Sequence, residues 1–292
     1  MSAVVVRWRG GDETRRCLSS LTSADGCRPA QVVLVDSGSG DGGADRLAAE
    51  FPTVTTLALE RNRGFAAAAN AGALRCETPS ILLLNPDTEV ASPALEKLEL
   101  ALEAHPEAAG VVPMLCGADG RPQWRWQLRR LPTVLDLSLG RGGRPACRSV
   151  PTRPSTIAQP AAAAWLVRRR VWQQLGGFDE GFVPAWWEDV DFCARLNSRL
   201  GTPGFGARRG FLVIPDAHLH HIGASSVAAL GRNAFLLAYY GNLLRFASLH
   251  HAARIRHIRR TLCLSLWLRS VANPRSRAGY RAVLDSIKKS PV

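Results

Sequence analysis

The stretch Gln31-Val-Val-Leu-Val-Asp36-Ser-Gly-Ser-Gly-Asp41-Gly-Gly43 runs from an unbroken apolar segment into a glycine-rich polar loop. Asp45–Phe51 then follows with helical spacing. Four apolar residues in a row suit a strand buried on both faces. The glycines permit positive φ and close approach of backbone to a ligand, and the next helix N-terminus favours anions. A plain turn with an acidic cap is the competing reading, because the loop is neither a GxGxxG fingerprint nor a Walker loop. The same alternation extends to either side. Ala3–Trp8 reads as a strand and Asp12–Leu21 as a helix, with Cys17, Leu18 and Leu21 on one side. Val54–Leu59 is a strand, Gly64–Arg75 an Ala-rich helix and Ile81–Leu84 a strand. Ser92-Pro93 opens a helix to about Ala104, with Pro at the first helical position, and Ala109–Met114 is a strand. This pattern predicts an α/β fold, a mostly parallel sheet with helices on both faces. Ligands of such sheets sit beyond the carboxyl ends of the strands, where Asp36–Asp41 and Asn85–Asp87 both fall.

Gly117–Pro160 breaks the pattern. It is rich in Gly, Pro and Arg and reads as a long irregular excursion, of the kind that is usually functional or mobile. Order resumes with a strand or buried segment at Ala161–Val167 and a helix at Arg169–Leu175 stopped by Gly176-Gly177. A stronger helix follows at Glu188–Leu200, then short strands Phe211–Ile214 and Ala217–His221 around Pro215. Arg232–Leu268 is helical in pattern and basic. The chain has 292 residues and a formal charge of +13, and the excess is local. From Val227 onward there are 12 basic residues against one acid, Asp285, whereas the first 226 residues hold 25 against 23. Such a tail should meet something acidic: a membrane surface, a phosphate or a nucleic acid. Seven scattered cysteines without a CxxC pair argue against a disulfide framework or zinc site and for a reducing compartment. No signal-peptide pattern opens the chain. The apolar run Leu262–Leu268 falls far short of the ~20 residues that span a bilayer.

Three clusters carry candidate chemistry. A carboxylate fixed at the strand end Asn85-Pro-Asp87 can hold a hard divalent cation that bridges phosphates; a Pro turn with an Asp cap is the plain alternative. Trp186-Trp-Glu-Asp-Val-Asp191 opens a helix, where acids also complement the dipole. Paired indoles give flat walls for a sugar, and Asp189 is placed to accept a proton from a hydroxyl. His218, His220 and His221 sit on a short strand, with His221 alternating to the opposite face. One His there completes a metal shell or binds a diphosphate, or is simply polar at a strand end. Cys193, within a helix near Leu196, reads as packing.

Taken in order, these blocks resemble the family 2 glycosyltransferases, inverting enzymes of GT-A (Rossmann-like) fold, over roughly residues 3–225. Asp36-Ser-Gly-Ser39-Gly-Asp41 resembles the nucleotide loop, and Arg61-Asn-Arg-Gly64-Phe65 through Asn70-Ala-Gly72 is a typical block. Leu84-Asn85-Pro-Asp87 resembles the metal motif of a rhamnosyltransferase-like branch. Gly176-Gly-Phe-Asp179-Glu180 with Pro184-Ala-Trp-Trp-Glu188-Asp189 resembles the acceptor-side signature, closed by His221-Ile-Gly223-Ala-Ser225. The resemblance implies that Asp36, Ser39 and Asp41 meet the nucleotide, and that Asn62, Gly64, Asn70 and Asn85 shape the donor site. It implies Asp87 and His221 at a Mg²⁺ or Mn²⁺ ion on the diphosphate. It implies Asp189 as general base with Glu188 beside it, and Asp179, Glu180, Trp186 and Trp187 on the acceptor side. Trp8-Arg9 and Ser37 depart from the family's usual Tyr-Asn and Asn, which puts the nucleobase contacts in question.

The expected organisation is a catalytic domain over 1–226, comprising a nucleotide-sugar half (1–115), the excursion (116–160) and an acceptor half (161–226). A basic helical extension follows over 227–292. The expected donor is a dTDP- or UDP-sugar, with rhamnose favoured by the branch. The expected acceptor is a hydroxyl, on a polyprenyl-diphosphate-linked glycan or else on a small molecule or peptide. A non-catalytic sugar-nucleotide-binding protein is the other alternative. Arg245, Arg254, Arg256, Arg259, Arg260 and Arg269 alternate with Leu243, Leu244, Phe246, Leu262, Leu266 and Trp267. That mixture suits either an anionic membrane surface or a helix packed on the catalytic domain. The expected location is cytoplasmic, extending to the inner face of the plasma membrane. No nucleic-acid-binding motif is present, and no nucleic acid partner is expected.

Overall fold

Four strands, β1 (Ser2–Arg7), β2 (Gln31–Asp36), β3 (Thr55–Ala58) and β4 (Ser80–Leu84), lie parallel in the order β3-β2-β1-β4. The computed structural model describes residues 1–23, 27–223 and 230–289. Period-two alternation sends the side chains of β1 to both faces. Ala3 and Val5 pack with Cys17, Leu18 and Leu21 of α1 (Asp12–Thr22) and with Leu95 and Leu98 of α4 (Ser92–Ala104). Val4 and Val6 pack with Ala66, Ala68 and Ala69 of α3 (Phe65–Ala73). The Ala-rich helix lies so close that a Cβ on Gly72 would stand 2.5 Å from Val4 Cγ1. Helix α2 (Gly43–Glu50) follows the glycine-rich loop, starting two residues before its expected Asp45.

Beyond β4 the sheet continues through β10 (Ala164–Arg168), β6 (Ala108–Cys116), β11 (Arg209–His221) and β5 (Thr88–Val90), with β8 (Ser155–Ile157) on the side of β11. β10 runs antiparallel to both β4 and β6, so β1, β2, β3, β4, β6 and β11 point one way and β5, β8 and β10 the other. The two strands expected around Pro215 are one strand with a register shift between Ile214 and His218. Proline has no N–H for the ladder, and a bulge absorbs it.

The excursion is not featureless. It holds α5 (Trp124–Gln127), β7 (Leu128–Arg129), α6 (Val134–Ser138), β8 and β9 (Gln159–Pro160), with β7 paired to β9. Thr133 and Asp136 form a capping box on α6, and Arg144 bonds the same carboxylate at 2.8 Å. Helices α7 (Arg169–Leu175) and α8 (Glu188–Arg199) stand where the sequence puts them.

The expected helix over 232–268 is broken at His251. It is α9 (Arg232–His250) and α10 (Ile255–Ala272), followed by α11 (Arg277–Lys289). These three pack on the acceptor-side segment. Leu236, Tyr240, Leu243, Phe246, Ile258, Leu262, Leu266, Val283 and Ile287 share one core with Leu137, Phe182, Trp187 and Val190. Leu243, Phe246, Leu262 and Leu266 are therefore interior residues, not a surface face. Arg245 and Arg269 bond inside the protein as well, to Asp179 and to Tyr240 and Leu139 O. The seven cysteines are free, and burial holds the Cys193 thiol well above its usual range, which leaves it inert packing. The 226/227 boundary and Ala224-Ser225 of the closing motif lie outside the described residues.

Candidate active site

The carboxyl ends of β1 and β2 lie side by side, and the register sets Arg7 opposite Asp36. The Arg7 side chain is only 2% exposed. It pairs with Asp36 Oδ2 and reaches Asp41 Oδ2 at 2.8 Å. Asp36 Oδ1 accepts the Ser39 N–H at 2.7 Å, and Asp41 Oδ1 accepts the Gly43 N–H at 2.8 Å. The guanidinium holds the Asp41 carboxyl below the usual carboxylate range. Gly43 leaves room for it: a Cβ there would lie 2.5 Å from Arg7 Nη2. The loop from Asp36 to Gly43 is thus pinned by a cation that sequence reasoning passed over. The signal was one charged residue ending an otherwise apolar strand. The Ser39 hydroxyl accepts the Arg9 N–H at 2.6 Å. Ser37 donates to Asn62 Oδ1 at 3.2 Å, and the same oxygen accepts Gly64 N–H at 2.8 Å. Both departures from the family pattern therefore sit inside this loop's own framework.

Asp87 follows β4 and is 4% exposed. Its Oδ2 accepts the Gly223 N–H at 3.1 Å, and His221 Nε2 lies 3.6 Å from its Oδ1. His221 is buried beside it, whereas His218 and His220 face outward from β11. Gln123 Nε2 donates to His221 O at 2.9 Å, so its Oε1 is the acceptor 2.9 Å from His221 Nδ1. That assigns the proton to Nδ1 and turns the Nε2 lone pair toward Asp87. Trp126 stacks on the imidazole at 5.1 Å and 13°. Burial lowers the His221 pKa, with the Asp87 charge opposing, which favours the neutral ring. One imidazole nitrogen and one carboxylate oxygen side by side fit a divalent cation that completes its shell with phosphate oxygens and water. Among the described residues no three His, Cys, Asp or Glu side chains converge, so the protein share of such a shell is small.

The third cluster opens α8. Trp186 and Trp187 have φ of 74° and 78°, a left-handed turn that indole-bearing residues rarely adopt. It swings Glu188 and Asp189 inward, and both are buried. Asp189 Oδ2 accepts Gln159 Nε2 at 3.1 Å, Ala162 N–H at 3.4 Å and Arg129 Nη2 at 3.4 Å. Its Oδ1 accepts the Val190 N–H at 2.8 Å. Burial raises the Asp189 pKa while Arg129 pulls it down. Burial and the Asp189 charge push Glu188 well above its ordinary value. Of the adjacent pair, Asp189 is the one with a guanidinium and three N–H donors to hold its charge.

Asp87 and Asp189 border the same short segment. Ala162 N–H meets Asp189, and the next residue's carbonyl, Ala163 O, accepts Asn85 N–H at 2.9 Å and Thr88 Oγ1 at 3.5 Å. The excursion serves both ends, with Gln123 on His221 and Arg129 and Gln159 on Asp189. These three residues were missed because they lie in a stretch without periodicity.

Other expected site residues are engaged elsewhere. Asn70 exchanges two 2.9 Å bonds with the Phe178 backbone and donates to Glu180 at 3.2 Å, so its amide locks the segment from Phe178 to Glu180. Glu180 also pairs with Arg63 at 2.8 Å, and both Asp179 oxygens accept Arg245 Nη2, at 3.0 and 2.7 Å. Trp187 is buried against Tyr239 and Phe246, which removes it as an exposed wall. Trp186 packs edge-on to Phe235 at 4.7 Å. Gly64, at φ 91°, passes so near that a Cβ would stand 2.9 Å from Pro184 O. Phe65 N–H bonds that same carbonyl at 2.7 Å.

Residues 2–171 match the family model described as glycosyl transferase family 2. An N-acetylglucosaminyl-diphospho-decaprenol L-rhamnosyltransferase of Mycobacterium tuberculosis is 29% identical over 300 residues, covering 92% of this chain and 91% of that protein. A pre-mycofactocin glycosyltransferase of the same organism is 31% identical over 186 residues, covering 62% of this chain and 36% of the relative. Among solved structures, S. aureus TarS 1-349 in complex with UDP-GlcNAc superposes with a TM-score of 0.59 at 15% identity, covering 98% of this chain and 80% of that one. GalNAc-T7 with UDP, GalNAc and Mn²⁺ gives 0.60 at 18% identity, covering 85% of this chain and 47% of that one.

Proposed function

The chain belongs to glycosyl transferase family 2, and from that premise we propose an inverting transfer with Asp189 as the general base. The protein is a glycosyltransferase; the finer reading concerns its substrates and residues. The observation that carries it is the buried Asp189 carboxylate. Burial has raised its pKa, its charge is held by Arg129 and Gln159, and it shares the Ala162-Ala163 segment with the strand end that bears Asp87. A buried carboxylate with a raised pKa is a stronger proton acceptor than a free one, which suits it to take a proton from an alcohol.

The donor is a nucleoside-diphosphate sugar, and rhamnose on a dTDP or UDP carrier is the leading candidate. The full-length similarity to a rhamnosyltransferase supports this, as does the Asn85-Pro-Asp87 strand end. The loop from Asp36 to Gly43, braced by Arg7, receives the nucleotide. When bound at Asp87 and His221, Mg²⁺ or Mn²⁺ neutralises charge on the diphosphate. Asp189 takes the acceptor hydroxyl proton as that oxygen bonds to the anomeric carbon. The bond from that carbon to the diphosphate oxygen breaks on the opposite face, and its electron pair leaves with the nucleoside diphosphate. One displacement inverts the centre without a covalent enzyme intermediate. Burial and the neighbouring Asp189 charge both favour the protonated form of Glu188 beside the base.

The acceptor is a polyprenyl-diphosphate-linked sugar, by similarity to a relative whose name specifies one. Cell-wall glycan assembly at the inner face of the plasma membrane is the corresponding role. A small-molecule or peptide acceptor is the second reading, supported by the pre-mycofactocin relative. The test is nucleoside-diphosphate release from dTDP-rhamnose and UDP-sugars, with and without Mn²⁺, in the presence of either acceptor class. Asp189→Asn should keep donor binding by thermal shift and lose roughly 10²–10⁴ in transfer rate. Full turnover by that variant refutes the assignment.

A further inference from the structure

Helix α10 has a face that the core does not use. Ile258, Leu262 and Leu266 are fully buried against α6, α9 and α11. On the opposite side Leu264, Trp267, Leu268 and Val271 are 58, 54, 53 and 58% exposed. Steps of three, one and three residues place them on a single stripe about 100° wide. Grouped apolar side chains of this size on a surface mark an interaction site. Toward the helix N-terminus the same stripe carries Arg260 and Arg256, spaced four residues apart and both exposed. Arg275 is exposed just beyond the helix end. The helix has no Asp or Glu.

We propose that this face of α10 docks on an anionic lipid bilayer. Leu264, Trp267, Leu268 and Val271 enter the headgroup boundary, while Arg256, Arg260 and Arg275 meet lipid phosphates. No described helix is long and apolar enough to cross a membrane, so α10 lies on the surface rather than spanning it. Charge argues against a second copy as the occupant. A twofold pairing of this face sets its arginines against either the partner's arginines or the partner's apolar half, with no acid on the helix to answer them. A nucleic acid satisfies the arginines but leaves the apolar half without a partner. The inner side of α10 is fixed to the site's own support: Arg269 donates to Leu139 O at 2.7 Å, within the excursion that supplies Gln123, Arg129 and Gln159. Docking would hold that excursion one helix away from the lipid surface. Lipid docking stands apart from the catalytic reading of Asp189, since it can fail while transfer to a water-soluble acceptor persists.

The experiment is flotation of the full chain with phosphatidylglycerol–phosphatidylcholine vesicles and with pure phosphatidylcholine vesicles, at low and high salt. The wild type should bind the anionic vesicles and loosen with salt. Arg256→Gln with Arg260→Gln should weaken partitioning about thirtyfold. Trp267→Gln with Leu268→Gln should weaken it at both salt concentrations. Both variants should keep the wild-type melting temperature. Radical oxidation of Trp267, read by mass spectrometry on the wild type, should fall on anionic vesicles whether or not any variant is stable. Equal partitioning into both vesicle types, or unchanged Trp267 oxidation, overturns the proposal. A dimer by light scattering that is lost in the Trp267/Leu268 variant, with no vesicle binding, overturns it in favour of a second copy.

Discussion

Asn242 of α9 holds the turn on which Asp189 depends, and replacing it separates positioning from packing. Its Nδ2 lies 3.3 Å from Val183 O, 3.0 Å from Ala185 O and 3.1 Å from Trp186 O. Two hydrogens are shared among three carbonyls, and the side chain is buried. Immediately downstream are the two left-handed Trp residues, each storing about 1–3 kcal/mol of backbone strain. Asn242→Ala removes both N–H groups. Net losses of about 1 kcal/mol per hydrogen bond give about 2 kcal/mol of stability. For a chain of this size that is a fall in Tm of about 4–8 °C. The strained turn can then relax, and Asp189 follows, being two residues beyond Trp187. A displacement near 1 Å costs about 10²-fold in rate. The expected result is a kcat lowered roughly 10–100-fold with the donor KM unchanged, because the loop braced by Arg7 is not touched. Asn242→Asp should do no better, since a carboxylate has no N–H to donate. The assay is steady-state release of nucleoside diphosphate, paired with thermal melts. An unchanged kcat alongside a lowered Tm would show that the clamp serves folding alone.

Three further outcomes follow from the buried charges. Glu188 has a folded pKa raised well above 4.5. Its contribution to stability is therefore full below that ordinary value and is lost as pH rises through the raised one; Glu188→Gln should gain stability relative to wild type as pH increases, read by melts across pH. Asp189 is raised from 3.8 by burial while Arg129 opposes the shift, so the acid limb of kcat should lie above pH 3.8 and move higher in Arg129→Met; an unmoved limb removes Arg129 from the account. Arg7→Met strips the cation from Asp36 and Asp41 and should cost about 3–5 kcal/mol, as breaking a buried ion pair does, with a raised donor KM in whatever fraction folds; a variant as stable as wild type contradicts the pinning.

The parallel half of the sheet was legible because β1, β2 and β4 are buried on both faces and so read as unbroken apolar runs. The excursion was not, because its helices and strands span two to five residues each. Long-range side-chain bonds hold it, such as Gln127 to the backbone of Leu115 and Pro113. Periodicity carries no trace of such bonds. The tail misled for a different reason. α9 and α10 carry apolar residues on more than one side, and composition cannot say which side the core takes. Leu262 and Leu266 went inside while Leu264 and Leu268 stayed out. Candidate residues at strand ends were visible by type, but their supports Arg7, Gln123, Arg129, Gln159 and Asn242 arrive from distant elements.

Those supports give the site a charge pattern that no single motif contains. At the nucleotide loop Arg7 answers one of two carboxylates, Asp36 and Asp41. At the α8 opening Arg129 answers Asp189, and burial favours the protonated form of Glu188. At the end of β4 His221 Nε2 lies 3.6 Å from Asp87 Oδ1, and burial favours the neutral imidazole. If Asp87 and His221 hold the proposed divalent ion, donor binding should weaken on chelation and in Asp87→Asn, read by thermal shift with the sugar nucleotide. If Asp189 is the proposed base, its pairing with Arg129 means that proton removal should need no ion of its own.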